Sequence, residues 1–266
     1  MLSDFDIFTH NFINFLFNPL LAIPIIFAIV FIIKKIKRLV IKIKQIIKYK
    51  NSSYYEVTKK DYKEVIKNKG VYGEYLTYEE LEVFEKYGAK FLFNLYIPKE
   101  KNETTEIDLL MICSKGIFVF ESKNYSGWIF GSENQKNWCQ TLPIGYGDVE
   151  KDYFYNPVLQ NRTHIKHLKS IIGEDLPFWS IIVFSVRCEL KSINIKSSDL
   201  RVIKRNELHK TISDIYELIT DVYLDEEKIK NIYLRLYPYT QIDESIKQKH
   251  INNIVNNHSE KLEPPK

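Results

Sequence analysis

Cysteine is scarce in this 266-residue chain, and its placement excludes two kinds of small domain. The three cysteines, Cys113, Cys139 and Cys188, lie far apart and none belongs to a C-x-x-C pair. A structural zinc site needs more closely spaced ligands. Scattered cysteines are typical of reduced thiols in a cytosolic domain, so the sequence predicts neither a zinc site nor a disulfide framework.

Net positive charge is confined to one short segment. The overall net charge is +4, but residues 34–50 contain eight lysines and arginines, and Asp4 and Asp6 precede them. The remaining residues, 51–266, therefore carry a net charge of −2. Many nucleic-acid-binding proteins show a broad basic footprint, so any such groove here must be local. Glycine gives no phosphate-binding loop either, because no G-K-S/T sequence follows Gly70 and Gly73.

A long uncharged run stands near the amino terminus. Phe12–Ile33 has no charged residue in 22 positions, enough for one membrane-spanning helix, and proline is tolerated in such helices. The alternatives are a cleaved secretory signal and a buried soluble helix. Because the basic cluster follows the run and no A-x-A cleavage site is present, we predict a retained transmembrane helix.

The basic segment after this run sets the expected topology. Lysine and arginine follow the run and none precedes it, which predicts an amino terminus outside and the rest of the chain in the cytoplasm. The protein would then be a single-pass protein of the cell membrane. Lys34–Lys50 alternates apolar and basic residues, which favours contact with anionic lipid headgroups, although the lysines could simply fix the topology.

Hydrophobic periodicity predicts a mixed α/β domain with a central sheet and helices on its faces. The predicted helices are Glu64–Gly88, a helix capped by Asn156 and running to Gly173, Asn206–Thr220, Glu226–Leu236 and weakly Gln241–Glu260. The predicted strands are Lys90–Pro98, two within Thr105–Asn124, two within Gly127–Gln140, Phe178–Ser185 and Leu200–Ile203, with a loop at Thr141–Tyr155.

The segment Thr105–Asn124 reads as two apolar strands joined by a turn at Lys115 and Gly116. Glu121 and Lys123 are two residues apart in the second strand and therefore share a face, and the hairpin can bring Asp108 of the first strand beside them. Two carboxylates and an ammonium suit a metal-dependent phosphodiesterase. The residues alone leave a second reading open, in which both acids are edge positions facing solvent.

Several motifs in order resemble the nuclease-related domain family, within the restriction-endonuclease-like superfamily of PD-(D/E)xK nucleases. The matching stretches cover about 100 residues. They are Gly70–Glu74, Asn94–Pro98, Glu106–Ile112, Gly116–Asn124 with Tyr125, Gly127, and Asn156-Pro157 with Gln160. Ser122 replaces an apolar residue of the family pattern, and we expect its side chain to point away from the acids.

The resemblance implies a role for each matched residue. Asp108 and Glu121 would bind Mg²⁺ or Mn²⁺, with the Ser122 backbone carbonyl as a further ligand. Lys123 would orient or deprotonate the attacking water and stabilise charge on the phosphate. Two more residues would complete the site: Glu74, directly or through water as part of the metal site, and Gln160, as a contact to water or phosphate.

Four other residues have plausible structural readings. Glu106, on the face of Asp108, could ligate the metal but is expected at a solvated strand end. His164, one turn after Gln160, could approach the substrate but is expected as an ordinary exposed histidine. Trp128 and Trp138 could stack on unpaired bases, but both are expected as core aromatics.

The sequence therefore predicts a transmembrane helix followed by a restriction-endonuclease-like α/β domain. The expected parts are an extracytoplasmic terminus at 1–11, the helix at 12–33, a basic stalk at 34–60, the nuclease-related domain at 61–205 and a helical extension at 206–266. The expected function is hydrolysis of phosphodiester bonds in DNA, or less readily RNA. The alternative is a non-catalytic nucleic-acid-binding or scaffold module of the same fold.

Overall fold

A computed structural model describes residues 7–9, 12–13, 19–100, 103–145, 147–173 and 175–259. The chain divides into two compact units, Met1–Ser52 and Ser53–Lys266. The expected extracytoplasmic segment 1–11 lies mostly outside the described residues, as do the last seven residues of the expected extension at 206–266.

The first unit contains one long helix, α1, over Pro19–Lys50. Most of its described apolar side chains, including Ile26, Phe27 and Phe31, are exposed. None of the helices within the described ranges is long and apolar enough to cross a membrane. The described residues thus lend no support to the membrane-spanning helix predicted at Phe12–Ile33, of which 14–18 lie outside them.

The second unit is built on a five-stranded mixed sheet in the order β1-β2-β3-β7-β9. Its strands are Lys90–Pro98 (β1), Thr104–Cys113 (β2), Gly116–Lys123 (β3), Phe178–Phe184 (β7) and Leu200–Lys204 (β9). The predicted hairpin is confirmed, and Gly116 adopts a φ of 117° in its turn. Strands β3, β7 and β9 run parallel, so their carboxyl ends share one edge of the sheet.

A second, four-stranded sheet has the order β6-β5-β4-β8. Its strands are Gly127–Ser132 (β4), Asn137–Gly145 (β5), Asp148–Tyr155 (β6) and Cys188–Asn194 (β8). One face packs on β7, where Trp138 stacks on Phe184 with ring centroids 6.1 Å apart. Two sheets therefore replace the single central sheet that we predicted.

The loop predicted at Thr141–Tyr155 is wrong, and strand β8 was not predicted at all. These residues form the antiparallel pair β5–β6 and an outer strand of the second sheet. The burial pattern explains the error, because β6 and most of β8 are exposed. A strand with little buried surface lacks the alternation of apolar and polar residues on which a strand prediction depends.

Helices cover both faces of the first sheet. They comprise Ser53–Thr58 (α2), Tyr62–Lys67 (α3), Lys69–Leu81 (α4), Pro157–Ile172 (α5), Leu208–Leu218 (α6), Glu226–Leu236 (α7) and Glu244–Ser259 (α8). The predicted helix over Glu64–Gly88 is divided at Asn68, which caps the start of α4. Gly88 is the expected C-cap: it ends the 3₁₀ turn that follows α4 and has a φ of 83°.

The core between these layers positions two helices over the carboxyl end of β3. On one face, Leu168 of α5 joins the cluster of Leu110 and Val119. On the other face, Tyr78 of α4 packs edge-on against Phe91, with centroids 5.4 Å apart. The carboxyl end of β3 consequently lies between α4 and α5.

Candidate functional site

The site begins where the β2–β3 ladder ends. The last paired residues towards this end are Leu109 and Phe120. One step further, the Asp108 carboxylate takes the place of a backbone partner, because Ser122 N–H donates to its Oδ2 over 2.8 Å. The hairpin thus places Asp108 beside Glu121, as the sequence predicted.

Glu121 and Lys123 form a close ion pair under helix α5. Lys123 Nζ lies 2.6 Å from Glu121 Oε1 and also donates to Gln160 Oε1 over 3.1 Å. The Glu121 side chain is 1% exposed and that of Lys123 is 17% exposed. Three of the predicted site residues are therefore in direct contact, and the ammonium retains limited access to solvent.

His164 is part of this cluster, so the expectation of an exposed histidine is wrong. Its ring is buried, with Nε2 3.0 Å from Glu121 Oε2 and Nδ1 2.7 Å from Thr105 Oγ1. An ionised carboxylate only accepts hydrogen bonds, so Nε2 donates to Glu121. The spacing gave a usable signal, since His164 is three residues after Asn161 and four before Leu168, and both are buried on α5.

Glu74 approaches the cluster from helix α4. Its Oε2 accepts a hydrogen bond from Asn94 Nδ2 over 3.0 Å, and Asn94 Oδ1 accepts one from Lys60 Nζ over 2.9 Å. Asn94 interrupts β1 with a φ of 50°, a conformation that asparagine tolerates better than most residues. Sequence reasoning assigned no role to Asn94 or Lys60, although Asn94 begins one of the matched motifs.

Ser122 points to the opposite face from its two neighbours. Its Oγ lies 3.2 Å from Thr77 Oγ1 on helix α4. The expected direction of this side chain, away from the acids, is thus confirmed. A role for its backbone carbonyl in metal binding stays a prediction.

The pKa values of the three carboxylates are shifted in different directions, because burial and mutual repulsion raise a pKa whereas a neighbouring cation lowers it. Burial raises the pKa of Asp108 well above its usual range, and the Glu121 and Glu74 carboxylates raise it further. Burial also raises the pKa of Glu74, against the opposing effect of Lys60. Burial acts in the same direction on Glu121, but the Lys123 ammonium and the His164 hydrogen bond outweigh it and lower that pKa.

Lys123 is held in its charged form. Burial favours the neutral amine, but the Glu121 and Asp108 carboxylates outweigh this effect and raise the pKa of Lys123 above its usual value. An ammonium has three hydrogen atoms to donate and no lone pair to accept a proton. At neutral pH Lys123 is therefore suited to stabilise negative charge and not to deprotonate water.

The donor set suits a magnesium ion better than a metal that needs many protein ligands. Within the part of the chain that the structure describes, no three His, Cys, Asp or Glu side chains are grouped so as to hold a metal ion. Mg²⁺ is commonly held by one or two carboxylates and keeps several waters. Asp108 and Glu121 supply two carboxylates whose mutual repulsion a divalent cation would relieve, so the residues fit this ion.

The remaining residues weighed from the sequence divide between the core and the surface. Trp138 is fully buried, as expected, whereas Trp128 is 43% exposed, so its assignment to the core is wrong. The Glu106 side chain is 27% exposed and its Oε2 lies 3.9 Å from His250 Nε2 on helix α8. Glu106 therefore contacts a helix and is not at a freely solvated strand end.

Comparison with known proteins identifies the family. The family model of the nuclease-related domain matches residues 69–185. An uncharacterized protein of Bacillus anthracis is 35% identical over 194 residues, which cover 73% of this chain and 87% of that protein. The chain belongs to the nuclease-related domain family. No solved structure matches it.

The matched nuclease-related domain contains all the residues that the sequence predicted for the site. Glu74 stands near its beginning and Gln160 near its end, while Lys60, which contacts Asn94, precedes it. Membership in this family indicates a nuclease-related function and suggests binding of nucleic acid.

Proposed function

We propose that this nuclease-related domain hydrolyses phosphodiester bonds, with DNA as a better substrate than RNA and Mg²⁺ or Mn²⁺ as its cofactor. The observation that carries the proposal is the contact of Lys123 with both Glu121 and Gln160, beside the partly buried carboxylate of Asp108. A partly buried ammonium and paired acids at one sheet edge are what phosphodiester hydrolysis needs for binding a cation and for neutralising phosphate.

Asp108 and Glu121 would hold the cation, which supplies Lewis-acid stabilisation of the phosphate and a more acidic bound water. The Ser122 carbonyl would add a ligand, and Glu74 would complete the acidic set directly or through water. Asn94 restrains Glu74, because it donates to Glu74 Oε2.

Lys123 and Gln160 would act on the phosphate itself. Lys123 stays protonated, so its Nζ can donate to a non-bridging oxygen as charge builds up there in the transition state. Gln160 Oε1 already accepts from Lys123, which leaves its amide hydrogens free to donate to water or phosphate. His164 donates a hydrogen bond to Glu121 and therefore acts as a positioning residue for that carboxylate.

Purified full-length chain with single- and double-stranded DNA and RNA tests the proposal. We expect cleavage with Mg²⁺ or Mn²⁺ that stops in EDTA and falls at least about a hundredfold in Asp108→Asn and Lys123→Ala. The exposed Asp214→Asn and Lys210→Ala serve as matched controls that keep wild-type rates. Equal cleavage by all five proteins would refute the assigned site.

A non-catalytic nucleic-acid-binding module is the second candidate, favoured by one observation. Both oxygens of Glu121 are already engaged, by Lys123 and by His164, so a cation must compete with these partners. Calorimetric titration with Mg²⁺ separates the two candidates. A nuclease binds the ion and loses this binding in Asp108→Asn, whereas a binding module shows no Mg²⁺ heat but retains affinity for nucleic acid.

We also propose that the chain is attached to the cytoplasmic side of the cell membrane, on the strength of its sequence. The support is the uncharged run at Phe12–Ile33 and the basic residues of Lys34–Lys50, which would meet anionic headgroups. Carbonate extraction of membranes, with cysteine labelling of residues after Asn51 in intact cells, tests this. Release by carbonate, or labelling from outside, would contradict it.

A further inference from the structure

The outer face of the second sheet is a row of exposed aromatic side chains. In strands β4, β5 and β6, alternate residues point to opposite faces. Ile129, Trp138 and Phe154 point inwards to the core around Phe184. Trp128 and Tyr153, each one residue away from an inward-facing neighbour, therefore lie on the outer face.

This outer face is open to solvent. Trp128 is 43% exposed, Tyr153 is 55% exposed and Tyr155 is 38% exposed. Phe130, which is half-buried, and Tyr153 both pair with Cys139 of β5, so the two side chains lie on the same face of the sheet. We name Trp128, Phe130, Tyr153 and Tyr155 the aromatic face.

Two lysines accompany the aromatic face. Lys151 is paired through Thr141 with Trp128, which places it on the same side of the sheet. Lys191 Nζ lies 5.3 Å from the centroid of the Trp128 ring. The acidic residues of β6, Asp148, Glu150 and Asp152, alternate with these positions and belong to the other side. Within the strands of this sheet, one carboxylate lies on this side, that of Glu189, which pairs with Trp128 in register and with Lys191 over 2.7 Å.

We propose that the aromatic face binds single-stranded nucleic acid by base stacking and delivers it to the site at Lys123. Exposed aromatic rings on an open sheet, with lysines between them, bind unpaired bases and their phosphates in a manner that tolerates any sequence. Duplex bases are already stacked on one another and present no free ring faces to such a surface. The proposal rests on the proposed function and makes single strands its preferred substrate.

The aromatic face is close to the candidate site along the chain. Trp128 follows Lys123 by five residues, so their Cα atoms are at most about 18 Å apart. Gln140 Nε2 donates to the Ser126 carbonyl over 2.6 Å and fixes this connection to strand β5. A few nucleotides are therefore long enough to span the distance from Trp128 to Lys123.

Lys191 gives the surface a way to hold the backbone as well as the bases. It occupies one face of the Trp128 ring in the structure without nucleic acid. A base stacking on that ring displaces the ammonium towards solvent, where it meets the phosphate of the same nucleotide. Cation–π contacts of exposed lysines are weak enough to be exchanged in this way.

Fluorescence anisotropy of a labelled 20-nucleotide oligo-dT, with the full-length chain in EDTA, tests the proposal without any cleavage. We expect Trp128→Ala and Tyr153→Ala each to weaken binding on the order of tenfold and Trp128→Phe to restore most of it. The matched control is Tyr87→Ala, since Tyr87 is 69% exposed and lies outside the second sheet. The same oligonucleotide annealed to its complement should bind more weakly and show little effect of either substitution.

Binding of oligo-dT that is unchanged in both alanine variants would overturn the proposal and leave the aromatic face to another partner, such as a protein. Equal losses for single strands and duplex would overturn it too. If Mg²⁺ and Mn²⁺ give no cleavage, the proposed function fails, while the EDTA titration still decides whether the face binds. If cleavage occurs, we expect Trp128→Ala to raise KM for single strands and leave kcat unchanged.

Discussion

At the scale of single residues, Asp108 is a carboxylate kept in a place that disfavours its charge. Its pKa is raised by burial and by Glu121 and Glu74. An acid with a raised folded-state pKa makes the free energy of unfolding fall as the pH rises above its unfolded value, near 4. Without a cation, this residue therefore costs stability at neutral pH.

Asp108→Asn removes that cost while its side-chain oxygen can still accept from Ser122 N–H. We expect the variant to unfold at higher urea concentration than the wild type at pH 7 without divalent ions, with the difference shrinking towards pH 4. Urea unfolding followed by circular dichroism across this range measures the effect. A variant less stable than the wild type at pH 7 would show that the charge of Asp108 is stabilised in the fold.

His164 is expected to act through Glu121. His164→Ala leaves Glu121 Oε2 buried without its partner, which costs about 1–3 kcal/mol of unfolding free energy. Cleavage should fall through kcat with KM little changed, because the residue positions a ligand and does not hold the substrate. His167→Ala, on the same helix but outside the cluster, provides the comparison, and a loss in both variants alike would argue against a specific role.

The spacing in the hairpin predicted that Asp108, Glu121 and Lys123 lie together, whereas Glu74 and Gln160 were predicted from the family resemblance. Sequence reasoning missed His164 and Asn94 for different physical reasons. A histidine on an amphipathic helix is buried or exposed according to small rotations of that helix. The partnership of Asn94 with Glu74 and Lys60 depends on a left-handed residue in mid-strand, which only the folded chain displays.

At the scale of elements, helix α5 depends on one residue for its placement. Asn156 Oδ1 accepts from Val158 N–H over 2.8 Å, and its amide donates to three carbonyls of the β4–β5 turn, including that of Gln135 over 2.6 Å. This side chain ties the helix that carries Gln160 and His164 to the second sheet.

Asn156→Ala should therefore cost about 2–3 kcal/mol of unfolding free energy, more than an ordinary helix cap, because the buried bond to the Glu133 carbonyl is also lost. Chemical denaturation measures the loss, with the exposed Asn206→Ala as the control. A cost below about 0.5 kcal/mol would mean that water replaces the amide without penalty.

Prediction of elements from the sequence succeeded wherever burial was strong. Strands β1, β3 and β7 are apolar and buried, and their predicted and observed bounds agree closely. The second sheet was predicted only in part, because β6 and β8 expose most of their residues. The pairing of β4 with β8, distant in sequence, is a tertiary property that no local pattern reveals.

At the scale of the whole molecule, charge limits how the chain can hold nucleic acid. Residues 51–266 carry a net −2, so binding cannot rely on many phosphate contacts. With two or three lysines engaged, among them Lys151 and Lys191, we expect the logarithm of affinity for oligo-dT to fall with the logarithm of salt concentration with a slope of about −2. A slope of −6 or steeper would indicate that further basic residues, such as the eight between residues 34 and 50, hold the phosphates.

The central claim is that Asp108, Glu121 and Lys123 form a metal-dependent phosphodiesterase site. The most direct test is the single-turnover cleavage rate of a single-stranded DNA oligonucleotide in Mg²⁺, compared between the wild type, Asp108→Asn and Asp214→Asn. We predict a rate that falls at least about a hundredfold in Asp108→Asn, is unchanged in Asp214→Asn and vanishes in EDTA. Cleavage by Asp108→Asn at the wild-type rate, or cleavage that persists in EDTA, would contradict the claim.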